Sequence, residues 1–141
     1  AAAEMTASSP VAIANLDWFA STEPGGRAKL AFGPPNSDNV GLLLSCVSGS
    51  SRIDISRTSP SADEELYLEA GGETERFAAS AEPSLFDIGS VITASAQSDH
   101  PVMVRFRQLG WLAVWHDGQR DTLVAHDTAR DGIERFFTSC A

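Results

Sequence analysis

The chain has 141 residues, 43% of them hydrophobic, with a net charge of −9 and an isoelectric point near 4.6. This size and composition predict a single folded domain with a substantial core. The acidic balance argues against nucleic-acid binding, which needs a basic face for the phosphates, and against docking on anionic lipid. We also expect no membrane insertion, because a spanning helix needs about 20 consecutive apolar residues.

The first 14 residues are small and polar and show no periodicity, which predicts a flexible N-terminal arm over residues 1–14. A single β-rich domain is then predicted over residues 15–141. The opening Ala1-Ala2-Ala3 belongs to a small-residue run that is typical of the region around a signal-peptidase cut. We therefore expect a periplasmic or secreted protein, although an expression remnant would look the same.

Short strands separated by turn formers are predicted through residue 94. Val40–Val47 is a nearly continuous apolar run, which predicts a strand buried on both faces. Ser51–Arg57 alternates and predicts a half-buried antiparallel strand, joined to the first by a hairpin. The other strands are predicted at Leu16–Ala20, Ala28–Phe32, Glu65–Glu69, Arg76–Ala79, Ser84–Asp87 and Gly89–Ala94.

Residues 98–110 fit two structures. Asp99 as N-cap, Pro101 in the first turn and Gly110 as C-cap favour a short helix near residues 100–109. The competing strand interpretation places Val102, Val104 and Phe106 on one face and stays open.

The last part of the chain predicts a hairpin and a helix. Trp111–His116 and Arg120–Ala125 read as strands joined by Asp117-Gly118, a type I′ turn signal. Asp127 or Thr128 is expected to cap a C-terminal helix. Its apolar stripe consists of Ala129, Ile133, Phe136, Phe137 and Cys140.

Together these elements predict a mainly β (α+β) fold. We expect an antiparallel β-sandwich or barrel of about seven to nine short strands, with the C-terminal helix packed on it. The two cysteines, Cys46 and Cys140, predict one disulfide in an oxidising compartment. The alternative is two free buried thiols.

No motif predicts a catalytic residue, a metal site or a cofactor. His100, His116 and His126 lie at unrelated loop positions without metal-ligand spacing. The turn around Ser48-Gly49-Ser50 lacks the G-x-S-x-G context of a serine nucleophile. The carboxylates between Asp63 and Glu75 predict a solvated edge or, alternatively, a patch for a cationic partner.

Aromatic residues give the best candidate for a ligand site. Trp111 and Trp115 share one face of their strand, with Ala113 between them, and could floor a groove for a sugar or a peptide. His116 adjoins them, so the predicted ligand-binding residues are Trp111, Trp115 and His116. Core packing is the competing interpretation, and Trp18 beside Phe19 poses the same question.

Three segments carry a resemblance: Leu30–Pro35, Leu42–Cys46 and Ile133–Cys140. In these the chain resembles small exported bacterial proteins of unassigned function. Ser48-Gly49-Ser50 after Cys46 is also similar to periplasmic lysozyme inhibitors of the small β-barrel type. The second resemblance implies export, a barrel and a disulfide, and neither implies catalytic residues.

These observations lead to three functional hypotheses. The first is an exported, non-enzymatic β-domain that binds a protein, a peptide or a glycan. The second is a small hydrolase that uses His116 or His126 with an acid and a serine. The third is a structural envelope component or a protein like the lysozyme inhibitors.

Overall fold

The structure is a computed structural model that describes residues 10–35, 41–84 and 89–141. These residues form ten β-strands, two α-helices and one 3₁₀ turn over Asp127–Ala129. The helices are α1 (Pro101–Leu109) and α2 (Arg130–Cys140). The strands are β1 (Asp17–Glu23), β2 (Arg27–Gly33), β3 (Leu42–Val47), β4 (Arg52–Ser59), β5 (Glu65–Ala70), β6 (Glu73–Ala78), β7 (Ser80–Pro83), β8 (Ser90–Gln97), β9 (Trp111–His116) and β10 (Gln119–Val124).

The strands form two antiparallel sheets, which are ordered β1-β2-β3-β4-β8-β7 and β10-β9-β5-β6. The sheets do not close into a barrel. Of the two predicted architectures, sandwich and barrel, the fold is therefore the sandwich. The mainly β prediction is confirmed, as is the C-terminal helix. Residues 101–109 are helical, which decides between helix and strand there.

Several local predictions are corrected. In β3 the side chains alternate, because Leu42, Leu44 and Cys46 are fully buried whereas Val47 is 52% exposed. The strand is therefore buried on one face only. β7 was not predicted, and the strand predicted at Ser84–Asp87 lies almost wholly outside the described residues.

The helix caps also differ from prediction. His100, not Asp99, caps α1, since its Nδ1 accepts the Val102 backbone N–H at 3.1 Å. At the second helix the 3₁₀ turn intervenes, and the N-cap Ala129 makes no side-chain hydrogen bond. Gly110 ends α1 in the left-handed conformation, as predicted.

One hydrophobic core lies between the sheets and the helices. α1 packs on β5, β6 and β9, whereas α2 packs on β1 and β2. The ring of Trp18 on β1 contacts Phe32 at 5.3 Å and Phe106 at 4.8 Å between ring centroids, and its Nε1 donates to the Leu123 carbonyl at 3.0 Å. Trp18 therefore links both sheets to α1. Its side chain belongs to the core and is not a ligand-binding residue, whereas the neighbouring Phe19 is 43% exposed.

The predicted disulfide is present between Cys46 on β3 and Cys140 at the end of α2. The turn between β3 and β4 holds the same helix end. Gly49 N–H donates to the Ser139 carbonyl at 2.8 Å, and Ser51 N–H donates to the Cys140 carbonyl at 2.7 Å. Carbonyls that a helix leaves without partners at its C-terminus are thereby satisfied. Ser48–Ser51 thus acts as a structural turn.

No helix within the described ranges has the length and apolar character that crossing a membrane requires.

Candidate functional site

The outer face of the four-stranded sheet carries the predicted aromatic residues. In β9 the side chains of Leu112 and Val114 are buried in the core, and the alternate positions Trp111, Ala113 and Trp115 face outward. His116 comes two residues after Val114, so its side chain lies on the same face of β9 as Val114 and on the opposite face from the two tryptophans. The three predicted ligand-binding residues therefore do not share one face.

Aromatic and arginine side chains form a row across this outer face. Tyr67 on β5 lies opposite Trp115 on β9, and their rings stack with centroids 5.7 Å apart and an interplanar angle of 20°. On the other side of β5, the Arg76 guanidinium of β6 lies 4.1 Å from the Tyr67 ring centroid. Both faces of the Tyr67 ring are therefore covered by side chains of this chain.

The predicted groove between Trp111 and Trp115 is filled. Arg120 on β10 reaches across Ala113 and donates from Nε and Nη2 to the two Glu69 carboxylate oxygens at 2.9 and 3.1 Å. Trp115 Nε1 also donates to Glu69 at 3.0 Å. Ala113 is 0% exposed beneath this bridge. The hydrogen bonds from Arg120 and Trp115 hold the pKa of Glu69 below its usual value, against the opposing effect of burial.

An open groove of about 730 Å³ lies beside this row, where the β9–β10 hairpin meets the loop before β5. Trp115 and His116 line it, and Trp111 does not. The structure thus brings together two of the three predicted residues and adds others that were not predicted. The lining consists of Arg57, Asp63, Glu64, Glu65, Tyr67, Arg76, Ala78, Trp115, His116, Asp117 and Gly118.

The hairpin that carries His116 has the predicted turn, with positive φ at both Asp117 (50°) and Gly118 (73°). His116 Nε2 lies 2.5 Å from Asp121 Oδ2, and its Nδ1 lies 4.0 Å from Asp117 Oδ2. This ring is therefore partnered by carboxylates, and no serine hydroxyl in the described part of the chain is hydrogen-bonded to it.

The other two histidines have structural contacts. His100 caps α1 through Nδ1 and lies 3.3 Å from Glu75 through Nε2. His126 Nε2 is 2.9 Å from the Ile13 carbonyl. Throughout residues 10–35, 41–84 and 89–141, no three His, Cys, Asp or Glu side chains come close enough together to hold a metal ion.

Asp63 is the most strongly held carboxylate of the groove. Ser59 Oγ donates to it at 2.7 Å and Ser61 Oγ at 2.9 Å, and Arg57 Nη1 lies 3.8 Å away. The hydrogen bond from Ser59 is the main reason that the pKa of Asp63 is lowered, and the contact with Arg57 acts in the same direction. These contacts fix the loop that forms one wall of the groove.

The lowered pKa of Asp63 predicts a pH dependence of stability. Because the folded-state pKa lies below the unfolded value of about 3.9, the stabilisation is complete above that value and is lost as the pH falls through the folded-state pKa. We expect Asp63→Asn to flatten the fall in unfolding free energy below about pH 4, measured by urea titration between pH 2.5 and 6. An unchanged acid limb would contradict this role, and Glu64→Gln on the same loop is the matched control.

The sequence reasoning missed Tyr67 and Arg76 as site residues, whereas Asp63 belongs to the carboxylates considered there as a patch for a cationic partner. Tyr67 lies at an outward position of a cleanly alternating segment, and that signal was present in Glu65–Glu69. Which residues lie beside Tyr67 on β6 and β9 depends on the order of the strands in the sheet. The alternation of buried and exposed residues along one strand does not specify that order.

The chain matches no protein-family profile, and searches of curated proteins and of solved structures find no significant similarity. The two resemblances noted from sequence segments therefore stay predictions.

Proposed function

We propose that this chain is an exported, non-enzymatic binding module whose ligand docks in the groove beside Tyr67 and Trp115. The observation that supports this proposal is the groove itself, which is open and lined by a half-buried aromatic pair and by charged side chains from three strands and two loops. Aromatic anchors within a polar rim are the usual composition of protein-binding surfaces. The disulfide supports an oxidising compartment, the periplasm or the extracellular space.

Among protein, peptide and glycan ligands, the contacts favour a polypeptide. A sugar binds aromatic residues by stacking on a free ring face, whereas one face of Tyr67 stacks on Trp115 and the other already holds a guanidinium, which is a group of protein side chains. The mixed charges of the groove instead match the varied side chains of a polypeptide. Glycans stay within the test as an alternative outcome.

The test selects ligands and then asks whether they use the groove. The purified protein would be used to select dodecapeptides from a random display library and to probe a glycan array. We expect selected peptides to lose about tenfold or more in affinity when Trp115→Ala or Tyr67→Ala is introduced, because central aromatic residues carry most of the binding energy.

Phe19→Ala is the matched control, since Phe19 is an accessible aromatic strand residue on the other sheet. Its affinity should equal that of the wild type. Ligands that bind all four proteins equally, or a selection that yields none, would refute the proposal. Far-UV circular dichroism would verify that each variant is folded.

One observation favours the hydrolase alternative, namely the His116–Asp121 contact at 2.5 Å at the edge of the groove. A histidine oriented by a carboxylate is one part of a general-base arrangement. Under this alternative, a panel of chromogenic esters would show turnover that His116→Ala abolishes. Equal rates of ester hydrolysis for the wild type and His116→Ala would rule out the hydrolase alternative.

A further inference from the structure

The Arg76 guanidinium occupies a position that has the two features of an arginine-binding site. Its Cζ lies 4.1 Å from the Tyr67 ring centroid, and its Nη1 lies 3.7 Å from Glu65 Oε1. A guanidinium is attracted by an aromatic face below it and by a carboxylate beside it. The chain's own arginine thus shows which chemical group this part of the groove accepts.

The contact that holds Arg76 is weak enough to exchange. The Arg76 and Glu65 side chains are 60% and 57% exposed, and exposed ion pairs of this length contribute little to stability. Arg120 provides the contrast on the same face. It donates two hydrogen bonds to Glu69, whose side chain is only 18% exposed. Arg76 can therefore leave its position without disturbing the sheet.

The rest of the groove favours an incoming cation. Among the described residues, the exposed Glu64 side chain has neither a hydrogen bond nor an ion pair, and Asp117 is 78% exposed with His116 4.0 Å away. Arg57 is already engaged by Asp63. The whole chain carries a net charge of −9, which attracts cationic partners over a longer range.

We propose that Arg76 occupies a guanidinium-binding site which an arginine of a partner polypeptide takes over on binding. This inference rests on the proposed function and adds the chemistry of the partner, a polypeptide segment with exposed arginine. The partner's guanidinium lies on the Tyr67 ring beside Glu65, and Arg76 moves into solvent. Glu64 and Asp117 receive neighbouring basic side chains of the same segment. Arg76 thereby lowers the affinity of the free site until an arginine competes with it.

The test compares two cationic probes of equal charge, fluorescein-labelled hexa-arginine and hexa-lysine peptides, by fluorescence anisotropy. We expect Arg76→Ala to raise the affinity for hexa-arginine about two- to fivefold, because the ring and its carboxylate become free. The gain for hexa-lysine should be smaller, since the planar guanidinium stacks better than an ammonium.

Arg52→Ala is the matched control. Arg52 lies on a strand of the other sheet, is 64% exposed and makes one ion pair, to Asp54 at 3.4 Å. Its removal changes the net charge by the same amount, so it reports the purely electrostatic gain. Adding Tyr67→Leu to Arg76→Ala should abolish the preference for arginine. Equal gains with Arg76→Ala and Arg52→Ala, or equal gains for the two peptides, would overturn the inference.

The display selection separates this inference from the proposed function. Selected peptides that depend on Trp115 and are enriched in arginine support both. Peptides that depend on Trp115 without arginine enrichment refute the arginine site and leave the binding function standing. A selection without ligands refutes the binding function, and the anisotropy comparison then still decides whether the guanidinium site exists.

Discussion

Reduction of the Cys46–Cys140 disulfide is expected to lower the unfolding free energy by about 4–5 kcal/mol, the chain-entropy cost of a loop this long. The two cysteines are separated by 94 residues, so the cross-link restricts most of the unfolded chain. Because domains of this kind have a total stability of about 5–15 kcal/mol, the loss is a large share of it. Urea unfolding of the oxidised protein and of the protein held in reductant measures the difference.

A Cys46→Ala/Cys140→Ala variant controls for the reductant. It removes the cross-link together with two buried sulfur atoms, so it should be at least as unstable as the reduced wild type. Hydrogen exchange should also increase at Gly49 and Ser51, because their amides bond to carbonyls at the end of α2. Oxidised and reduced proteins with equal unfolding free energies would show that the remaining contacts hold the helix end without the disulfide.

Trp18→Ala is expected to cost about 3–5 kcal/mol, the range for removing a large buried aromatic residue. Trp18 is 2% exposed, packs on Phe32 and Phe106, and donates its indole N–H to Leu123. Its loss opens a cavity where both sheets meet α1. Equilibrium urea unfolding measures the effect.

Two further variants separate the causes. Trp18→Phe keeps an aromatic ring and removes the hydrogen bond, so it should cost about 1–3 kcal/mol. Phe19→Ala, at the next position, should change stability by about 0.5 kcal/mol or less, because Phe19 is an exposed side chain. Similar costs at positions 18 and 19 would show that Trp18 does not link the sheets.

Much of the fold follows from local sequence patterns. Alternation in Arg52–Ser59, the Asp117-Gly118 turn and the apolar stripe of α2 each depend on residues close together in the chain. The cap of α1 is where local reasoning failed. Asp99 has the better intrinsic propensity, but the His100 ring makes the cap, and it also contacts Phe77 and Glu75 from β6.

The apolar content of Val40–Val47 predicted burial on both faces, yet the alternation of the strand left Val47 exposed. Hydrophobicity identifies a strand but does not decide how many layers cover it. The packing of the other elements decides that, and here only one face of β3, with Leu42, Leu44 and Cys46, belongs to the core.

The candidate site shows the same division. The sequence by itself determined that Trp111 and Trp115 share a face of β9 and that Cys46 has one possible partner, because strand parity and a count of two cysteines require no tertiary information. Only the tertiary structure decided that Arg120 and Glu69 cover Ala113, and that Tyr67 and Arg76 complete the groove. Those contacts join β6, β5, β9 and β10, whose order within the sheet is set by long-range pairing.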